Sequence, residues 1–150
     1  MSPKIKNVHV MLLLLVGAAG AGFGQNQPAA TGSRLNAGSA TRGEYIANNV
    51  AVCSQCHTPR NSTGAPDRSK WLEGAPLWLT SAAPVENWPL QAPRIAGALP
   101  GTDAEMVKLL TTGIWKTGTY LRAPMPQFRM SSEDAEAVVA YLKSVTPAPK

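Results

Sequence analysis

Basic residues never cluster in this sequence. No run of Lys or Arg is present among its 14 basic side chains, which makes nucleic acid a poor partner. There is no Ser-His-Asp set, no paired carboxylate motif and no phosphate-cradling glycine loop. A catalyst in its own right is therefore not expected, and the chain is read as not an enzyme. No stretch shows the strict alternation of a half-buried strand, which argues against a β architecture. No internal repeat occurs, so whatever site the chain carries exists once. Cysteine is scarce, with two residues, and so is histidine, with two. Neither cysteine lies in residues 1–24, which rules out a lipid anchor through cysteine there.

The N-terminus has a clear layout. Lys4 and Lys6 make a basic start, Val10 to Val16 an apolar block, and small residues follow to Gly24. That is the pattern of a secretory signal peptide over residues 1–24, with the mature chain starting between Gly22 and Gln25. The alternative is an uncleaved anchor. The apolar run from Val8 to Gly24 is 17 residues, at the short limit for spanning. Cleavage would remove His9 and leave His57 as the only histidine. It would also leave 12 basic against 9 acidic residues, a net charge of +3. Residues 25–40 have almost no large apolar side chains and read as a flexible linker. One domain is expected over residues 41–150, long enough to bury a core.

Three segments have helix signatures. Thr41 to Glu44, Thr102 to Glu105 and Ser131 to Asp134 each offer a capping hydroxyl followed by an acid three residues on. Gly113 and Pro147 supply stop signals. The apolar stripes are Ile46 and Val50, then Met106, Leu109 and Leu110, then Val138, Leu142 and Val145 with Tyr141 beside them. Gly43 and Tyr45 are expected to pack against Tyr141 and Leu142. LWLT (77–80) and TGTYL (117–121) read as short extended pieces. Between His57 and Pro93, residues 58–92 carry five prolines and three tryptophans, Trp71, Trp78 and Trp88. The prolines forbid long regular elements, and the tryptophans argue against disorder. DRSKWLEG is a candidate short helix within that span.

The chemistry concentrates in CSQCH, residues 53–57. Two thiols and an imidazole in that order suit a zinc site, a redox disulfide or a covalently attached haem. A closed zinc site wants four ligands, and Cys53, Cys56 and His57 are three. A thioredoxin-like disulfide expects a βαβ setting, although an exported pair of thiols can oxidise. Haem uses every residue of the motif. Two thiols add to two vinyl groups, and His57 follows where its ring can reach the iron.

Beyond the motif, the sequence resembles the monohaem class I cytochromes c of bacteria. GEYIANNVAVCSQCHTP (43–59) is similar to the family's first helix and haem-binding site. PRIAG (93–97) resembles its proline loop, and GTDAEMVKLLTTG (101–113) the helix after it. PMPQF (124–128) resembles the methionine loop and SSEDAEAVVAYLKSV (131–145) the last helix. The departure is Thr58 to Ala92, longer than in small members. The resemblance implies an all-α, cytochrome c-like fold, three to four helices wrapped around one haem c attached through Cys53 and Cys56. It implies His57 as the proximal ligand, its second nitrogen donating to the Pro93 carbonyl, and a methionine as the sixth ligand. Among Met106, Met125 and Met130, Met125 lies between Pro124 and Pro126 in a loop without helix signal. Prolines on both sides hold such a strap extended, so Met125 is the expected ligand. Met106 reads as core and Met130 as a staple residue on the last helix.

The implied function is one-electron transfer outside the cytoplasm, in the periplasm, by a free carrier or by the cytochrome subunit of an oxidoreductase. Partners would be redox proteins, among them an exported dehydrogenase or a terminal oxidase, with a membrane involved only if residues 1–24 are retained. The alternative is a five-coordinate haem that binds small gases or reacts with peroxide. The tryptophans of residues 58–92 are expected to pack on the haem; facing outward, they would dock a partner.

Overall fold

The first helix, α1, spans Ala37–Tyr45 in a computed structural model that describes residues 37–147. The expected signal segment, and the expected linker up to residue 36, lie outside the described residues. Because α1 starts at Ala37, Thr41 lies inside it and is not its cap. The small residues before Thr41 are compatible with helix, and their helicity depends on packing that a capping pattern does not register.

The chain then widens into a π-helical turn, Ile46–Val50, where the Ala51 N–H donates to the Ile46 carbonyl at 2.7 Å. One extra residue in the turn rotates everything after it. Val50, expected to share a face with Ile46, is 61 % exposed, and Ala51 packs on the core instead. The turn delivers the chain to Cys53, whose N–H bonds the Ala47 carbonyl at 2.8 Å. Helix α2 follows, Ser54–His57.

Helix α3, Asp103–Thr112, carries the complete capping box foreseen at Thr102 and Glu105. Gly113 ends it in the left-handed conformation, with its N–H on the Leu109 carbonyl. Replacing Thr102 with Ala is expected to cost about 1 kcal/mol, read as a lower denaturant midpoint, and Thr102→Ser should recover most of it. Helix α4, Ser132–Ser144, has only half a box. Ser131 accepts from the Asp134 N–H, but the Asp134 carboxylate is taken by Arg42 at 2.6 Å. That exposed ion pair contributes little by itself.

Helices α1 and α4 cross at Gly43. A Cβ there would overlap the Ala137 carbonyl and stand 3.0 Å from Tyr141 Cβ. Gly43 thus meets Tyr141 as expected, while Tyr45 points out at 59 % exposure. Tyr141 is instead contacted by Asn48 and Trp71, whose Nδ2 and Nε1 donate to its hydroxyl at 3.1 and 3.3 Å. Ile46, Met106, Leu110, Val138 and Leu142 belong to one core with Leu72 and Ile95.

Residues 58–92 fold as linked turns. Arg68–Lys70 makes the foreseen short helical turn in DRSKWLEG. Strands β1, Ala75–Pro76, and β2, Gln91–Ala92, pair antiparallel. LWLT and TGTYL do not become strands; Tyr120 makes only an isolated bridge to Ile114. Leu72 is fully buried with a positive φ of 59°. Its N–H takes Thr58 Oγ1 at 3.0 Å, and its carbonyl accepts the Ile95 and Ala96 N–H groups. The four α-helices among the described residues make the fold mostly helical, and none of them is long and apolar enough to cross a membrane.

Candidate functional site

A single helical turn presents the reactive groups of CSQCH. The N–H groups of Cys56 and His57 both bond the Cys53 carbonyl, at 3.3 and 3.0 Å. That turn sets Cys53, Cys56 and His57 on the wall of one cavity of about 380 Å³, while Ser54 and Gln55 stay off it. Both thiols are unpaired and half-buried. Burial pushes the Cys53 thiol up to about 11, so it is protonated at neutral pH. Among the described residues, no three His, Cys, Asp or Glu side chains are placed to hold a metal ion together.

His57 is buried, and its Nδ1 lies 2.7 Å from the Pro93 carbonyl. A carbonyl only accepts, so Nδ1 carries the proton and Nε2 keeps a free lone pair. Burial lowers the imidazole pKa, and the Pro93 bond offsets this in part. The ring is thus held neutral, in one tautomer and one orientation, the state that binds metal. The distance across this bond is set from outside it. The Gly74 N–H ties to the His57 carbonyl at 2.8 Å, while the Leu72 carbonyl holds the backbone just after Pro93.

Met125 also lines the cavity, between Pro124 and Pro126, which line it too. Its N–H bonds the Arg122 carbonyl at 3.2 Å. Met130 does not reach the cavity; it packs on the core with its N–H on the Leu110 carbonyl at 3.1 Å. Met106 is buried core, as its stripe foretold, yet it faces the cavity as well. Sequence reasoning missed that second role, because one helix stripe serves both the core and the cavity wall.

The remaining walls are apolar, with Ile95, Leu109, Trp115, Val138 and Leu142 among them. Among the described residues, Arg122 is the only lining side chain with a fixed charge. Two thiols, an imidazole with a free Nε2 and a thioether around an apolar space are a donor set that fits a porphyrin. The tryptophans at 71, 78 and 88 are not on the cavity wall; Trp115 is. The expected packing of those three on the cofactor is therefore corrected. Trp71 packs on the core, Trp88 donates to the Leu79 carbonyl, and Trp78 is 57 % exposed. Residues 58–92 supply the wall through Leu77, Pro89, Gln91 and Ala92 instead.

Comparison with known proteins agrees with this chemistry. The family model described as cytochrome c matches residues 40–146. The fructose dehydrogenase cytochrome subunit of Gluconobacter japonicus is 33 % identical over 112 residues, covering 69 % of this chain and 21 % of its own. A diheme cytochrome c-type protein of Cereibacter sphaeroides is 30 % identical over 110 residues, 69 % of this chain and 34 % of its own. The cytochrome c subunit of a quinone alcohol dehydrogenase from Gluconobacter oxydans is 28 % identical over 118 residues, 73 % and 24 %. The chain thus spans about a fifth to a third of the curated relatives it matches.

Proposed function

Because the chain belongs to the cytochrome c family, whose members carry covalently bound haem c, we propose that it transfers single electrons through one such haem. Cys53 and Cys56 would hold it by thioether bonds, and His57 and Met125 would ligate its iron. The observation that carries this reading is the meeting of both thiols, the His57 ring and Met125 in one apolar cavity. When bound, haem supplies a one-electron couple between ferric and ferrous iron. His57 binds through Nε2, and Pro93 keeps its ring from turning. The Met125 sulfur, on the same cavity wall, would be the second protein ligand and would leave no open position for a substrate. The apolar walls keep water away and, with methionine ligation, favour the reduced form.

The signal-like residues 1–24 support work in the periplasm. The names of the relatives support a dehydrogenase as electron donor, with this chain as its cytochrome subunit; a free carrier that hands electrons to a terminal oxidase is the other assembly. Co-purification from the native host separates the two.

The ligand assignment has its own test. Met125→Ala should remove the weak far-red thioether–iron band of the oxidised protein, lower the potential and open the iron to carbon monoxide. Met130→Ala should change none of these. Met106→Ala should keep the band and lose about 2–5 kcal/mol of stability, as a truncated core residue does. A band that survives Met125→Ala but disappears in Met106→Ala would reassign the ligand. Ready carbon monoxide binding by the wild type at neutral pH would favour a five-coordinate iron.

A further inference from the structure

Arg122 stands where two walls of the cavity meet. Its guanidinium Nη1 donates to the Asn87 carbonyl at 2.9 Å, across 35 residues of sequence. Its own carbonyl accepts the Met125 N–H. One residue thus holds the methionine strap with its backbone and the loop between β1 and β2 with its side chain. The strap is also anchored at its ends, where the Leu121 N–H bonds the Gly113 carbonyl and the Met130 N–H the Leu110 carbonyl, and Phe128 packs on the core beside the second anchor. Between those anchors, among the described residues, the Arg122–Asn87 hydrogen bond ties the strap to the facing loop. Asn87 has a positive φ of 57°, a conformation asparagine tolerates, which turns its carbonyl outward to a donor. Among the described residues that line the cavity, Arg122 is also the one with a fixed charge.

We infer that Arg122 is a positioning residue that latches the methionine strap to the 77–90 loop and so keeps Met125 on the iron, while placing a positive charge beside the haem. This rests on the ligand reading above. A thioether is a weak ligand that leaves and returns, and an external ligand enters while it is away. Cutting the latch gives the strap more freedom, so the sulfur spends more time off the iron. The charge acts separately: a cation near the iron stabilises the ferrous state, which carries one positive charge fewer.

The test is cyanide binding to the oxidised, haem-loaded protein at neutral pH, together with its midpoint potential. Arg122→Met removes both latch and charge. It should bind cyanide about three- to tenfold faster, the size expected for one lost hydrogen bond of this kind, and its potential should fall. Arg122→Gln should behave in the same direction. Arg122→Lys keeps a charge and a donor and should return both readouts most of the way to wild type. Cyanide binding at the wild-type rate in Arg122→Met overturns the latch, even if the denaturation midpoint drops. Failure of both variants to hold haem overturns it too, in favour of a folding role for this exposed residue. A wild type with no far-red band would instead remove the ligand assignment itself, so the two failures are distinguishable.

Discussion

A chain with Cys53 and Cys56 both changed to alanine is expected to leave the export pathway without covalent haem. Each thioether forms when a thiol adds across a vinyl group. The S–H bond and the C=C π bond break, and S–C and C–H bonds form, with no leaving group and no net electron transfer. Alanine has no atom to add, and no other cysteine exists in the chain to substitute. The two sites are also close, because one helical turn joins them. Each single variant should therefore keep one thioether, with reduced yield and a shifted pyridine haemochrome. The double variant should keep neither, and an intact mass after acid extraction should match the polypeptide alone. A double variant that retains the mass of one haem would place attachment outside CSQCH and overturn the site.

Gly43→Leu should be the most damaging substitution away from the cofactor. In an exposed helix, replacing glycine by a larger residue normally helps, by up to about 1 kcal/mol for alanine. Here the sign reverses. The first atom beyond Cα meets the Ala137 backbone carbonyl and Tyr141 Cβ, and neither can swing aside as a side-chain tip could. The helices must move apart, which strips contact from the Tyr141 and Leu142 side of the core. Overpacking typically costs about 1–3 kcal/mol, and a backbone clash puts this site at the upper end, or roughly 10–20 °C in melting temperature for a domain of this size. Gly43→Ala should already lose part of it. A melting temperature unchanged in Gly43→Ala would mean that the α1–α4 crossing is looser than its geometry indicates.

The sequence made the chemistry more legible than the architecture around it. CSQCH and the caps of α3 are local signals, and local signals survive without knowledge of the fold; Pro93 came only with the family resemblance, because its partner His57 lies 36 residues away. The start of α1 is not legible because the capping pattern at Thr41 points to a later start, while Ala37 to Ala40 mix alanine, the best helix former, with glycine and serine and carry no signal of their own. Val50 was put on the wrong face because a π turn leaves no mark in a periodicity counted at 3.6 residues. Size alone points the tryptophans of 58–92 toward the cofactor, and nothing in their spacing says that Leu77 and Pro89 take that wall. Arg122 escaped notice for a similar reason. Its partner is a backbone carbonyl 35 residues away, and a main-chain acceptor has no residue type to recognise.

The two-residue pairing of Ala75 with Ala92 and Pro76 with Gln91 separates what is held from what is free to vary. Everything that fixes the His57 ring lies on the near side of it: Gly74 on the His57 carbonyl, Leu72 on Ile95 and Ala96, and Pro93 itself. Residues 77–90 lie beyond, closed at their base. Lengthening such a closed segment costs only about 0.6 kcal/mol per doubling. A change of length within residues 77–90 would therefore leave the bonds that hold the His57 ring in place, and would be felt instead at the Leu77 and Pro89 wall and at the Asn87 carbonyl.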